Sequence, residues 1–288
     1  MGTSGFTYQI KDLKNRKCIP PCQRLSIPVC ILCVILICST APARAEHTRE
    51  NIMSETVGRA FMLCIYLPEG YSTSGMRYPV VYLLDADKHF EQVARKVDIK
   101  IRQGHIRPVI IAGIGYGAGR NFRKQDYTPT RISGFKGSGG AEKFCGFIRN
   151  ELIPLMDARY RTIPEQKGRA IAGHSLGALA VYQGLFYHSS LFRYYIAASP
   201  ALWWDRELYL RTPPPVPGKG HSVQVINIAG TGEHPATRNY ARSMTRILSG
   251  KMKGGINASF ITVPAGDHEK AAVPAITAGI EKFFPAYK

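Results

Sequence analysis

Five consecutive residues, Gly173-His174-Ser175-Leu176-Gly177, bring a hydroxyl nucleophile into the G-x-S-x-G pattern. A serine that attacks an acyl carbon must project from the main chain. It does so at a strained strand-to-helix turn, where glycines two residues either side leave room. The flanking sequence has the right character. GRAIAG over 168–173 is a short apolar run suited to a buried parallel strand, and ALAVYQGLFY over 178–187 is apolar at helical spacing. In such an arrangement the acid and then the histidine follow along the chain, on loops after the second and third strands beyond the serine. Gly230-Thr231-Gly232-Glu233-His234 follows VQVINIA at 223–229, and Pro264-Ala265-Gly266-Asp267-His268 follows ASFITV at 258–263. His268 is therefore the candidate general base and Glu233 the candidate acid.

Alternatives stand beside each assignment. His234 shares a loop with Glu233 and is the rival base; the other six histidines read as solvated or structural. Asp267 adjoins His268, and neighbouring side chains diverge, so it is a poor orienter. A Ser-His dyad is the alternative to Glu233. Negative charge that develops on a substrate oxygen needs two N–H donors. The backbone N–H of Leu176 is the first. The second is expected from Asp85-Ala86-Asp87-Lys88, after the strand-like PVVYLL, with Asp87 preferred and Ala86 next.

The elements that must hold these residues alternate in type. Strand patterns lie at 60–67, 79–84, 109–114, 168–173, 195–198, 223–229 and 258–263. Helical patterns lie at 89–103, 141–160, 178–187, 236–248 and 271–284, the second interrupted by Pro154, and a Gly- and Arg-rich loop spans 115–140. This alternation predicts an α/β fold with a mostly parallel central sheet and helices on both faces, matching the α/β-hydrolase pattern.

The first 45 residues have a different logic. A basic stretch, the apolar IPVCILCVILIC at 27–38 and Ala43-Arg44-Ala45 read as a secretory signal peptide cleaved after Ala45, leaving one domain over 46–288. An uncleaved segment is the only membrane attachment expected. The reading places the mature chain in a periplasm or outside the cell. Of seven cysteines only Cys64 and Cys145 lie beyond this segment, both read as small core residues with one bridge between them left open. No zinc spacing remains, and neither metal nor cofactor is expected. The chain carries 38 Lys+Arg against 20 Asp+Glu; the leader holds six and one of these, so the mature domain has 32 against 19 and a net charge of +13. That surface attracts anions. Export and the scattered placement of the basic residues argue against nucleic acid as partner.

Several stretches together resemble an esterase family of α/β-hydrolases that includes esterase D, feruloyl esterases, the mycolyltransferase antigens and enterobactin-type siderophore esterases. They are YPVVYLLDADKHF (78–90), DYTPTR (126–131), GGAEKFCGFIRNELIPLMDARYRT (139–162), AIAGHSLGALAVY (170–182) and YYIAASPALWWD (194–205). DYTPT and SPALWWD look most like the siderophore esterase branch. The chain departs from the family where LLDG becomes LLDA, at Ala86, and where the second glycine closing the nucleophile motif becomes Ala178. The resemblance implies a serine esterase acting through an acyl-enzyme on a small-molecule ester, most like a catecholate siderophore trilactone. A feruloyl-type carboxylesterase or acyltransferase is the alternative, and a catalytically weak binding homologue is a further one. An anionic ferric siderophore gives the basic charge a use: Arg120, Arg123 and Arg131, with Tyr127, are the expected substrate-binding residues, and Trp203 and Trp204 are expected to line the same pocket, one of the two being buried.

Overall fold

A computed structural model of the chain describes residue 1 together with residues 45–213, 217–218, 222–250 and 255–287. Residues 2–44 of the expected leader, part of the Pro-rich connection at 212–217 and His221 lie outside the described residues. Among the described residues eight strands form one sheet: β1 (Glu46–Ser54), β2 (Arg59–Leu67), β3 (Val80–Leu84), β4 (Ile110–Gly115), β5 (Arg169–His174), β6 (Tyr194–Ala198), β7 (Val223–Gly230) and β8 (Ile256–Val263). Their spatial order is β1-β2-β4-β3-β5-β6-β7-β8; β1 and β2 run antiparallel to their neighbours and the pairs from β4 to β8 are parallel. The α/β fold with a mostly parallel sheet is as the sequence pattern indicated.

Central strands are continuous apolar runs because helices cover both faces. All of β3, VVYLL, is buried. On one face lie α1 (Ala86–Arg102) and α8 (His268–Phe283), which pack Phe90, Val93, Val97, Ile276 and Ile280 against the sheet. On the other lie α3 (Ala141–Phe147), α4 (Ile153–Arg159), α5 (Leu176–Tyr187), α6 (Trp204–Arg211) and α7 (Pro235–Ser249). Helix α5 is buried from Leu176 to Phe186. Its one long polar side chain, Gln183, accepts a hydrogen bond from Tyr209 and donates one to Glu142, which removes the cost of burying an amide.

Four local differences from the sequence reading have physical causes. Strand β1, EHTRENIMS, is an edge strand whose first four residues are exposed, so it lacks the apolar signal of the others. Helix α1 begins at Ala86 rather than His89, because Asp85 takes a left-handed conformation (φ 56°) that turns β3 directly into the helix. Within the loop a short helix, α2 (Arg123–Asp126), forms. Pro154 does not separate the helices at 141–160 completely: a π-turn at Ile148–Leu152 joins α3 to α4, rearranging the hydrogen bonds where proline supplies no N–H.

Candidate active site

The order of strands fixes where a site can form. Strand β3 has β4 on one side and β5 on the other, and from the carboxyl ends of the parallel neighbours β3 and β5 the chain turns to opposite faces, into α1 and α5, the arrangement that opens a crevice at those ends. Ser175 sits there, at the junction of β5 and α5, with φ 59° and ψ −115°. That conformation is costly for a residue with a side chain and is held by its surroundings. Its N–H donates to the Ala198 carbonyl at 3.0 Å, and its own carbonyl accepts from Ala178 and Ala201. Gly173 is required for the turn: a Cβ there would stand 2.5 Å from the Gly177 carbonyl.

The loops after β7 and β8 supply the other two groups. Nδ1 of His268 donates to Oε1 of Glu233 at 2.6 Å, which leaves Nε2 as the basic ring nitrogen. Glu233 is 4% exposed, and its second oxygen accepts from Ser199 Oγ at 2.7 Å and from the Gly230 N–H at 2.5 Å. Burial pushes the carboxyl up, but the bonds from His268, Ser199 and Gly230 outweigh it and hold Glu233 below its ordinary range. The two loops are zipped together, with the Gly232 N–H donating to the Ala265 carbonyl at 2.8 Å. Contact is so close that a Cβ on Gly232 would lie 2.7 Å from the carbonyl oxygens of Ala265 and Gly266.

Rivals to these groups are engaged elsewhere. Asp267 caps α8, accepting from the Lys270 N–H, and Nδ1 of His234 caps α7 by accepting from the Ala236 N–H. The next ring beyond His268 is His174, adjacent to Ser175 in the chain, with centroids 4.5 Å apart. Serine, histidine and glutamate therefore share one end of the sheet.

Two helix N-termini meet at the same edge. Leu176 opens α5, and its N–H is one of the first-turn donors without an intrahelical acceptor. Ala86 and Asp87 open α1 in the same way, so both expected second donors lie in its first turn. The Asp87 carboxylate is turned away and accepts from the N–H groups of Tyr116 and Gly117 at 2.7 and 2.8 Å, clamping the end of β4.

The expected substrate-binding residues divide. Tyr127 is fully buried; its hydroxyl accepts from the Asp85 N–H at 3.1 Å, so it supports the β3–α1 turn rather than a ligand. Arg123 forms a two-pronged ion pair with Asp85 at 2.7 and 2.9 Å and is committed to that carboxylate. Trp204 is core, with Nε1 donating to Thr130 Oγ1 at 3.1 Å. The assignments of Tyr127 and Arg123 to substrate are corrected: the loop turns both side chains inward to hold the Asp85 corner. Trp204, which follows β6, is the buried member of the tryptophan pair, as expected of one of the two, and so does not line the pocket. Trp203, by contrast, is 46% exposed and packs on Phe135. Arg131 is exposed and lines a depression of about 640 Å³ with Phe135 and Lys136. Arg120 is also exposed, above the Phe122 ring.

Sequence reasoning did not single out Ser199, Asp85 or His174. Ser199 and Asp85 both have positive φ, the backbone mark of a position held by its surroundings, which no composition signal reveals. Cys64 and Cys145 are both free and buried, so the bridge left open is not formed. Among the described residues no group of three or more His, Cys, Asp or Glu side chains is placed to hold a metal ion.

The sequence pattern of the family described as Putative esterase matches residues 54–224. The chain is 33% identical over 229 residues to ferri-bacillibactin esterase BesA of Bacillus subtilis, covering 72% of this chain and 78% of that protein. It is 27% identical over 173 residues to the siderophore triacetylfusarinine C esterase of Aspergillus fumigatus, covering 57% of this chain and 59% of that one. An IroE-like serine hydrolase from Shewanella oneidensis has the same fold, with a TM-score of 0.72 at 25% identity over 83% of this chain and 80% of that one. Extent of match, sheet order and the placement of the serine agree, and the chain belongs to the Putative esterase family, on an α/β-hydrolase fold.

Proposed function

We propose that this chain is an exported serine esterase that opens the ester bonds of a catecholate siderophore trilactone through an acyl-enzyme on Ser175. The observation that carries the chemistry is the 2.6 Å bond between His268 and a buried Glu233, at the sheet end that carries the strained Ser175. Relatives named for siderophore ester hydrolysis support the substrate class.

The steps follow from the geometry. Nε2 of His268 takes the Ser175 hydroxyl proton as Oγ attacks the ester carbonyl carbon. The resulting oxyanion is held by the N–H of Leu176 and by that of Asp87, with Ala86 as its neighbour in the same turn. Glu233 stabilises the imidazolium of His268 and keeps Nδ1 protonated, so that Nε2 faces the reaction. Collapse of the tetrahedral intermediate breaks the C–O bond, and His268 returns the proton to the departing alkoxide. A water, deprotonated by the same nitrogen, then attacks the acyl carbon and restores Ser175. Trp203, Arg131 and Arg120 are the exposed groups left to meet an anionic aromatic substrate. Export rests on the leader at 1–45, which ends one residue before β1 begins at Glu46.

Purified protein incubated with enterobactin, ferric enterobactin and p-nitrophenyl esters, with products read by mass spectrometry, tests this. Linear trimer, dimer and monomer are expected from the trilactone. Rapid turnover of simple esters with the trilactone intact would replace this reading by a carboxylesterase of feruloyl type.

A further inference from the structure

The residue between Gly173 and Ser175 varies freely in the G-x-S-x-G pattern, since the pattern asks nothing of its side chain. Here it is His174, the last residue of β5, 2% exposed, its ring directed into the face covered by α1 and α8. Nε2 of His174 lies 3.0 Å from the main-chain carbonyl oxygen of His268. A carbonyl only accepts, so Nε2 carries the hydrogen and donates. The two imidazole rings also touch, with centroids 4.5 Å apart at 41°.

This contact joins the two halves of the catalytic pair by a route that does not pass through Glu233. His268 is the first residue of α8, its side chain 41% exposed, with little packing to hold it. Glu233 fixes the tilt of its ring. His174 fixes the height of its backbone, and it is covalently next to Ser175. One hydrogen bond therefore sets the base at a fixed distance from the nucleophile.

The same ring must stay uncharged to serve. Three groups face it: His89 from α1, its ring 5.8 Å away; His268 from the start of α8; and the guanidinium of Arg123. None of the three is an anion, so none compensates a charge on His174. Burial first, and then His268 and His89, push its imidazole down to about 2. A neutral ring lets positive charge appear on His268 during the reaction without a like charge beside it.

We propose that His174 is a positioning residue that ties the main chain of the base to the strand bearing the nucleophile. This rests on the serine hydrolase reading of the site. It does not depend on the substrate being a siderophore.

The test uses the purified full-length protein and its His174→Leu and His174→Gln variants. Leucine keeps apolar bulk and loses the donor; glutamine keeps a terminal N–H₂ at similar reach. With p-nitrophenyl acetate, His174→Leu should lower kcat about 10- to 100-fold at unchanged KM, since a small misplacement of the base has that effect. Labelling of Ser175 by a fluorophosphonate should slow by the same factor, and His174→Gln should recover most of both. Equal impairment of the two variants, or a leucine variant within about twofold of the parent, overturns the proposal.

If the leucine variant does not fold, the parent protein decides by ¹⁵N NMR of its histidine rings. His174 must show a slowly exchanging Nε2–H and remain neutral from about pH 4 to pH 9. A ring in the Nδ1–H form, or one titrating near neutrality, sinks the idea. A parent protein that neither turns over esters nor takes the probe overturns the hydrolase reading instead, so the two failures are distinguishable.

Discussion

The end of the sheet that carries Ser175, Glu233 and His268 and the loop that runs from Gly115 to Gly140 are built differently. At the sheet end, each proposed catalytic group is fixed by groups from other elements: Glu233 by Ser199, Gly230 and His268, Ser175 by Ala198 and Ala201. In the loop, side chains of similar chemistry split, with Tyr127 and Arg123 turned to the Asp85 corner while Arg120 and Arg131 stay in water. Groups that react must converge on one atom, and the strand order dictates where. Groups that bind need only face a cavity, and an irregular loop decides their direction by its own packing.

The largest test of that contrast is Ser175→Ala, which should lower ester hydrolysis by at least about 10⁴-fold and abolish fluorophosphonate labelling with an unchanged circular dichroism spectrum. Next, Glu233→Gln should lower kcat by about 10² to 10⁴ through loss of the oriented, charge-stabilised imidazole, whereas Asp267→Asn should leave kcat within about twofold. Comparable losses for both would mean that the acid is not fixed as described.

On the loop side, Arg123→Ala should act on stability. It leaves the buried Asp85 carboxylate unpaired, so chemical denaturation should show a loss of about 3–5 kcal/mol. A selective rise in KM with no loss of stability would return Arg123 to the substrate.

Acid separates the regions again. A histidine whose folded value is depressed binds its proton more readily when unfolded, so its contribution to stability is complete above the unfolded value of about 6.5. That contribution is lost as pH falls from there towards about 2, the folded value of His174. The slope is about 1.4 kcal/mol per pH unit in that window, and His174→Gln should flatten the fall in denaturation midpoint between about pH 6 and pH 4. His89, also lowered by burial, keeps a share of the slope in that variant. The smallest effect is expected from Trp203→Ala, which should raise KM for aromatic esters by about tenfold with kcat and stability nearly unchanged.

How far the sequence reaches follows the same division. The order of Ser175, Glu233 and His268 was legible because each lies just past a strand whose apolar run is hard to mistake. Strand β1 was not, since Arg49 and Glu50 lie exposed or half-buried on an edge strand that carries charge. The start of α1 was hidden by Asp85, because a left-handed residue at the end of a strand leaves no trace in the hydropathy pattern. Trp203 and Trp204 are identical neighbours, and only the fold could show that the second fills the core and the first meets solvent.

The zipped loops after β7 and β8 have a consequence for temperature. Glu233 and His268 are held together by main-chain contacts of Gly232, Ala265 and Gly266 beside β8, which among the described residues is the last strand of the sheet and pairs with β7 alone. Edges of a sheet open at lower free energy than its centre. Warming should therefore part Glu233 from His268 before the buried strands separate, so that the activity of this protein fades several degrees below its melting point and returns on cooling.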